Sequence, residues 1–173
     1  MELGSTVKLA FKGTLDDGTV FGYATAENPM EFQTGMDLVV DGFEREILAM
    51  NEVGEKKTFT ISEYDAYGEY LDDFVQKIPI DQIPISGIVP GKRVKMHSSE
   101  GGGQAVEATV VSIEDGIVTF DMNHPLAGQK LTYEVEILGL EDAPENFVSH
   151  AEKMEHLKQQ TKLLGGDQGD DYR

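Results

Sequence analysis

Apolar and polar residues alternate in several short segments of the chain, which predicts half-buried β-strands. In the segment 6–15, Val7, Leu9 and Phe11 fall on one face and lysines fall on the other. Asp16-Asp17-Gly18 follows, and its glycine suits the positive φ of a hairpin turn. Further strands are predicted at 19–21, 30–32, 56–61 and, most clearly, 131–137.

The segment 41–50 has the spacing of a short helix. Its apolar residues recur at i, i+4 and i+7, and they are Phe43, Ile47 and Met50. Asn51 is predicted to close this helix in the left-handed conformation. Several strands of antiparallel type with one short helix predict an α+β domain.

The segment 71–120 has a different composition. Three prolines, Pro79, Pro84 and Pro90, stand among β-branched residues. Since proline has no backbone N–H, they indicate edge strands and irregular linkers. Strands are predicted at 92–97, 104–113 and 117–120, with turns at 100–103 and at Asp115-Gly116. We therefore expect a small all-β unit, distinct from the α+β domain.

The last part of the chain, 142–173, is predicted to be an acidic, partly helical tail. Pro144 suits the first position of a helix, and Phe147, Ala151 and Met154 recur at helical spacing. Gly165-Gly166 is predicted to stop this helix.

Charge and composition narrow the classes of function. The 173 residues include 32 acidic and 14 basic ones, for a net charge of −18. Such a chain repels phosphate backbones and anionic lipids, so neither nucleic acid nor a membrane is an expected partner. No apolar run could span a bilayer, and the first residues do not resemble a signal peptide. A cytoplasmic protein, soluble as a monomer, is expected.

Most catalytic motifs are missing from the sequence. There is no cysteine, which excludes disulfides and thiolate ligands, and there is no nucleophile elbow or phosphate-binding loop. His150 and His156 are six residues apart, whereas a metal pair on a helix needs a spacing of three or four. No metal site or cofactor is predicted. The remaining signal is a set of aromatic and aliphatic residues separated by glycines.

These residues form short motifs that recur in a recognisable order along 7–140. The motifs are 7–13, 17–21, 38–44, 50–57, Ala66-Tyr67-Gly68 and Asn123-His124-Pro125-Leu126-Ala127-Gly128. In this order they resemble the FKBP-type peptidyl-prolyl cis/trans isomerases, and the last motif resembles the SlyD-like branch. The resemblance implies an antiparallel sheet wrapped on a short helix.

In that branch an insert-in-flap domain binds unfolded chains, and 71–120 occupies the corresponding position. The resemblance therefore implies an isomerase domain in two parts, 1–70 and 121–141, with the chaperone domain between them and the tail at 142–173. We expect the two ends of the insert to lie close together. The branch often carries a metal-binding tail rich in His and Cys, which this chain lacks.

The resemblance also implies the residues of a substrate pocket. Tyr67 and the Val40 backbone N–H would donate hydrogen bonds to the substrate, and His124 and Leu126 would close the rim. Where the family commonly has Asp, this chain has Gly22. The predicted catalytic residues are Phe11, Phe21, Tyr67, Tyr133 and His124. The predicted substrate-binding residues are Met30, Val39, Val40, Phe43, Leu126 and Gly22. Ordinary core positions are expected for Phe59, Ile61, Leu131 and Val135.

Such a pocket suits isomerisation of Xaa-Pro bonds. Rotation about a peptide bond faces a barrier of about 18–20 kcal/mol because of amide resonance. A dry aromatic pocket removes the water that favours the planar, polar amide, and so favours the twisted transition state. The reaction needs no acid, base, nucleophile or metal, which agrees with the missing motifs.

Three functions follow as hypotheses. The first is an isomerase that captures unfolded or nascent polypeptides through the insert, with macrolide-type inhibitors as further ligands implied by the resemblance. The alternative is a holdase or peptide-binding module of weak catalytic activity, which Gly22 favours. A metal-handling protein is disfavoured by the composition of the tail.

Overall fold

The computed structural model describes residues 1–84, 86–96 and 105–164. The chain divides into two compact units, one of Met1–Ala66 with Gln129–Arg173 and one of Tyr67–Gly128. The predicted insert, 71–120, lies within the second unit. The four-part division of the chain, with boundaries at 70, 120 and 141, stays a prediction.

The first unit contains an antiparallel sheet of five strands. Its strands are β1 (Thr6–Thr14), β2 (Val20–Ala24), β3 (Met30–Gln33), β4 (Lys56–Ile61) and β9 (Leu131–Glu141). They are ordered β2-β1-β9-β4, and β3 pairs with the first half of β1. Each lies where the alternation of residues predicts a strand, and the α+β class is confirmed.

Strand β9 organises the core because β1 pairs along one of its edges and β4 along the other. Successive side chains of a strand point to opposite faces, so every second residue of β9 enters the core. The buried residues of β9 are Leu131, Tyr133, Val135 and Ile137. Val7 and Leu9 of β1 and Phe59 and Ile61 of β4 are buried with them.

The predicted hairpin turn joins β1 to β2. Gly18 adopts a φ of +84°, which only glycine adopts without strain. Its N–H donates to the Leu15 carbonyl at 2.9 Å, and the Leu15 N–H donates to the Thr19 carbonyl at 2.9 Å. The turn is confirmed.

Helix α1 (Asp41–Leu48) packs its apolar side on the core of the first unit. Phe43, Ile47 and Met50 are buried, as their spacing predicts. The helix begins after Val40, whose backbone is extended and whose side chain provides no cap.

The predicted left-handed conformation of Asn51 is wrong, since Asn51 is not among the described residues with positive φ. The helix ends at Leu48, and its C-cap residue, Ala49, has a φ of −76°. The Glu55 carboxylate accepts the Asn51 N–H at 2.8 Å, so a side chain satisfies the donor in this turn. Gly54, at φ +88°, takes the left-handed position instead.

The second unit contains an antiparallel sheet of four strands. They are β5 (Val75–Pro79), β6 (Arg93–Met96), β7 (Val106–Glu114) and β8 (Ile117–Asp121), ordered β5-β8-β7-β6. Short 3-10 helices flank β5 at Asp72–Phe74 and Ile80–Gln82. The proline-containing strand β5 is an edge strand, as predicted.

A small apolar core holds this second sheet together. Its buried members are Ala108, Val110, Val118 and Phe120. The turn between β7 and β8 is confirmed, with left-handed φ values of 51° at Asp115 and 76° at Gly116. The predicted turn at 100–103 lies outside the described residues.

The two ends of the predicted insert lie close together, as expected. The Asn123 side chain accepts the Leu71 N–H at 2.9 Å and donates to the Leu71 carbonyl at 3.0 Å. Nearby, the Gly128 N–H donates to the Gly68 carbonyl at 2.7 Å. Entry to and exit from the inserted sheet are therefore tied to each other.

The C-terminal helix α2 (His150–Leu164) starts later than predicted. The Ser149 hydroxyl accepts the Glu152 N–H at 3.3 Å, and the Glu152 carboxylate accepts the Ser149 N–H at 3.0 Å. This capping box starts the helix at His150 and not at Pro144. The predicted stop at Gly165-Gly166 lies outside the described residues. Within the described part of the chain, no helix is long and apolar enough to cross a membrane.

Helix α1 lies close to the segment after β4 at Gly42. A Cβ atom at Gly42 would lie 2.8 Å from the Asp65 Cβ and 2.9 Å from the Asp65 carbonyl oxygen. Asp65 cannot easily move, because its carboxylate accepts two hydrogen bonds from Arg45, both at 3.1 Å. Only glycine therefore fits at this position.

We expect Gly42→Ala to lower the free energy of unfolding by about 1 kcal/mol. Overpacking costs about 1–3 kcal/mol, which exceeds the gain of about 0.5–1 kcal/mol from alanine in a helix. Urea unfolding followed by circular dichroism measures the change. Gly22→Ala is the matched control, since its Cβ would lie at an ordinary 3.7 Å from the Phe11 ring. Equal stability of Gly42→Ala and the wild type would contradict the packing argument.

Candidate active site

Four aromatic side chains of the predicted pocket lie together in the first unit. The ring centroids of Phe43 and Tyr133 are 4.7 Å apart. The Phe11 ring lies 6.1 Å from Phe43 and 6.0 Å from Tyr133, and the Phe21 ring lies 5.4 Å from Tyr133. Strands β1, β2 and β9 and helix α1 each contribute one ring.

The strand register explains why these rings meet. Phe11 pairs with Val135, and Gly13 pairs with Tyr133, so Phe11 and Tyr133 point to the same face of the sheet. A Cβ atom at Gly13 would lie 2.4 Å from the Phe21 ring, so the ring occupies the space above this glycine. Gly13 lies against the aromatic cluster, and the sequence analysis did not identify it. A glycine inside a strand, which often marks a close approach, was the available signal.

Burial separates the floor of the aromatic cluster from its rim. Phe43 is 3% exposed and Tyr133 is 6% exposed, whereas Phe11 and Phe21 are half-buried. Phe59 stacks on Tyr133 from within the core at 5.6 Å, which agrees with its predicted core role. Phe32, also missed by the sequence analysis, is buried 6.2 Å from Phe43.

The aliphatic residues predicted for the pocket belong to the same unit. Met30 starts β3, and Val39 and Val40 precede α1; all three are half-buried. The Val40 carbonyl accepts the Glu44 N–H at 3.1 Å, whereas the Val40 N–H has no partner within the described residues. An unpaired N–H at a helix start is a donor that the helix dipole reinforces.

The remaining predicted site residues lie in the second unit. The Tyr67 and His124 rings are stacked, with centroids 3.8 Å apart and planes 3° from parallel. Tyr67 is 39% exposed, which leaves much of the phenol open to solvent. The Leu126 N–H donates to His124 Nδ1 at 3.1 Å. Burial, and then the charge of Arg93, lower the pKa of His124 below its usual value.

Gly22 is half-buried and pairs with Gly13 across β1 and β2. A Cβ atom added there would lie 3.7 Å from Phe11 Cε2, at ordinary contact distance. A side chain at this position would therefore extend beside the rim of the aromatic cluster without a clash.

A cavity of about 470 Å³ opens elsewhere on the same sheet. It is lined by Ala10, Phe11, Lys12, Ala24, Lys56, Lys57, Thr58, Glu134, Val135 and Glu136. Alternation along β9 places Glu134 and Glu136 on the face opposite to Tyr133. The cavity is therefore charged, with Lys56 and Glu136 paired at 3.2 Å, and it is not the aromatic cluster. No group of His, Asp or Glu that could hold a metal ion occurs among the described residues.

The family model described as FKBP-type peptidyl-prolyl cis-trans isomerase matches residues 1–138. The chain therefore belongs to this family of enzymes. It is 32% identical to the FKBP-type peptidyl-prolyl cis-trans isomerase SlyD of Vibrio cholerae over 87% of this chain and 73% of that protein. The SlyD protein of Escherichia coli is 30% identical over 83% of this chain and 72% of that protein. Within the family, the chain belongs to the SlyD branch.

Solved structures of the same family are also similar to this chain. A peptidyl-prolyl cis-trans isomerase from Pseudomonas syringae matches 82% of this chain and 65% of its own, with 19% identity and a TM-score of 0.43. The three FKBP domains of wheat FKBP73 match 81% of this chain and 40% of their own, with 25% identity and a TM-score of 0.45.

Gly22→Asp tests whether a carboxylate at the rim aids catalysis. We expect kcat/KM on a short Xaa-Pro peptide to rise about fivefold, since one added polar contact is worth about 1 kcal/mol. Gly22→Asn is the control, because it has the same shape without the charge. An unchanged rate in a folded Gly22→Asp variant would mean that this pocket does not use a carboxylate.

Proposed function

We propose that this isomerase acts on Xaa-Pro bonds in the aromatic cluster and captures unfolded chains through the second unit. The observation that carries the catalytic part is the grouping of Phe11, Phe21, Phe43 and Tyr133 from four separate elements. An apolar site with few polar groups suits a proline ring.

In the proposed mechanism the aromatic floor excludes water from the amide. Planar amides are favoured by water because resonance makes them polar, and the twisted transition state is less polar. Phe43 and Tyr133, both nearly fully buried, supply a floor without water. The half-buried rings of Phe11 and Phe21 would hold the proline from the sides. No proton transfer is required.

Two donors would hold the substrate in register. The Val40 N–H is available at the start of α1, where the helix dipole strengthens its hydrogen bond to a carbonyl oxygen. The Tyr67 phenol would provide the second contact. A hydrogen bond to the substrate next to the reacting bond would help to confine rotation to one amide.

The isomerase proposal is tested on a protein whose refolding is limited by proline isomerisation. We expect micromolar wild type to accelerate the slow refolding phase. Tyr67→Phe should retain part of this acceleration, because it removes one hydrogen bond worth about 1 kcal/mol and leaves the ring. Tyr64→Phe is a matched control, since it removes the phenol of another exposed tyrosine, Tyr64 being 70% exposed. An unchanged slow phase would refute the catalytic proposal, and equal rates for Tyr67→Phe and wild type would refute the role of Tyr67.

Support for the capture of unfolded chains comes from the apolar surface of the second unit. Among its described residues, the exposed large apolar ones are Tyr67, Tyr70, Leu71, Phe74, Ile80, Val89, Val106, Val111 and Ile117. Exposed apolar side chains in this number suit association with other chains. Within the described residues, β5 and β6 are the edge strands of this sheet, and an extended chain could pair with their outer backbone groups. The cytoplasm stays the predicted location, and the monomer the predicted state.

A holdase of weak catalytic activity is the second candidate. Gly22 favours it, because the rim of the aromatic cluster lacks the carboxylate common in the family. The two candidates share the second unit and differ only in the rate at the aromatic cluster, which the refolding experiment measures.

Deleting the insert should separate the two activities. The predicted insert is 71–120, and we delete 72–122 so that the hydrogen-bonded pair Leu71 and Asn123 remains. We expect a variant with 72–122 replaced by a short glycine-containing loop to fold, because these two residues already lie together and loop closure costs little. It should retain isomerisation of a short peptide and lose suppression of aggregation. Retained protection of unfolded clients would refute the capture role.

A second variant tests capture with the insert in place. Phe74→Ser with Val89→Ser changes side chains that are 47% and 55% exposed, so the fold should be preserved. We expect weaker suppression of aggregation and an unchanged rate on short peptides. An unfolded deletion variant would show that the chain needs the insert to fold, and the double variant would then decide the capture role alone.

A further inference from the structure

The His124 ring is held in one tautomer by a local hydrogen bond. Its Nδ1 atom lies 3.1 Å from the backbone nitrogen of Leu126, which donates to it. A nitrogen that accepts a hydrogen bond carries no proton, so the proton of the neutral ring is on Nε2. The two-residue spacing makes this contact equivalent to the side-chain turn that asparagine forms.

The face of the same ring is packed on Tyr67. The rings are nearly parallel, at 3° and a centroid distance of 3.8 Å. His124 is thus fixed at its edge by Leu126 and presents its face to the tyrosine. Tyr67 is 39% exposed, so a stacked neighbour restricts the directions in which its phenol can point.

We propose that His124 is a positioning residue, which in its neutral form holds the Tyr67 phenol for the substrate and releases it when protonated. The inference rests on the proposed substrate contact of Tyr67. It makes isomerase activity dependent on pH through a group that transfers no proton in the reaction.

The direction of the pH dependence follows from the donor pattern. A proton on Nδ1 would face the Leu126 N–H, and two donors repel each other. A protonated His124 ring could still stack on Tyr67 through a cation–π contact. It would first have to leave the Leu126 N–H, the contact that orients it. The ring must therefore rotate away from its present position, and the support of Tyr67 is lost.

The groups around the ring keep it neutral near physiological pH. Within the described residues, the charged group that acts on it is the Arg93 guanidinium, and the titratable group on its face is the Tyr67 phenol. Burial first, and Arg93 second, lower the pKa of His124 from the usual 6.5. Activity should be level at neutral pH and should fall as the pH drops through this lowered value.

Two substitutions separate the edge contact from the stacking. His124→Asn keeps an acceptor for the Leu126 N–H but has no ring, and His124→Phe keeps a stacking face but has no acceptor. We expect kcat/KM on a short Xaa-Pro peptide to fall by up to about fivefold in each, as for one lost hydrogen bond, and to stay level from about pH 8 to about pH 5. The wild type should show the acid decline. His150→Gln, which alters a histidine of the first unit, should decline like the wild type.

The dependence on Tyr67 is tested by a double-mutant cycle. In a Tyr67→Phe background, His124→Asn should cause no further loss, because the phenol that it positions is already absent. Circular dichroism of each variant confirms folding. An acid decline that persists in His124→Asn, or full additivity with Tyr67→Phe, would overturn the proposal.

Nitrogen NMR of the imidazole gives a readout that does not depend on activity. At neutral pH, His124 should show a protonated Nε2 and an unprotonated Nδ1. The opposite tautomer would overturn the proposal. A wild type without isomerase activity at any pH would overturn the proposed function, whereas an active enzyme with a pH-independent rate would overturn only the role given to His124.

Discussion

The contact of Phe43 with Tyr133 joins helix α1 of the first unit to the centre of its sheet. The two ring centroids are 4.7 Å apart, and β9, which carries Tyr133, pairs with both β1 and β4. An aromatic pair contributes about 0.5–1.5 kcal/mol beyond the burial of its surface. Because the same two rings form the floor of the proposed pocket, the core and the catalytic surface cannot vary independently. A change at Phe43 alters the position of α1 and hence of the Val40 N–H.

Glycines permit this arrangement where other residues would collide. Gly13 leaves space for the Phe21 ring, and Gly42 lets α1 approach Asp65. The rim of the pocket therefore depends on positions that have no side chain. The substrate contacts proposed for Phe21 and Val40 therefore depend on close packing at Gly13 and at Gly42 as well as on the chemistry of Phe21 and Val40.

In the second unit, the exposed large apolar residues outnumber the buried residues of its core. Four buried residues form the core of its sheet, while nine large apolar residues are exposed in the part of the unit that the structure describes. A small core with a large apolar surface suits binding to other chains, and the net charge of −18 helps to keep such a surface in solution. The hydrogen bond between Leu71 and Asn123 holds the two ends of the inserted segment together.

The sequence by itself determined the strands, the helix α1 and the family, because alternation, helical spacing and ordered motifs are local properties of the chain. The sequence also contained local signals for two features that the sequence analysis did not use. A glycine inside a strand marked the close approach at Gly13, and the capping box of Ser149 with Glu152 marked the start of α2. Only the tertiary structure decided three contacts. They are the pairing of Gly13 with Tyr133, the stacking of Tyr67 on His124 and the hydrogen bond from the Asn51 N–H to the Glu55 carboxylate. Each depends on which residues the sheet register and the turns bring within contact distance, and no periodicity in the sequence records that distance.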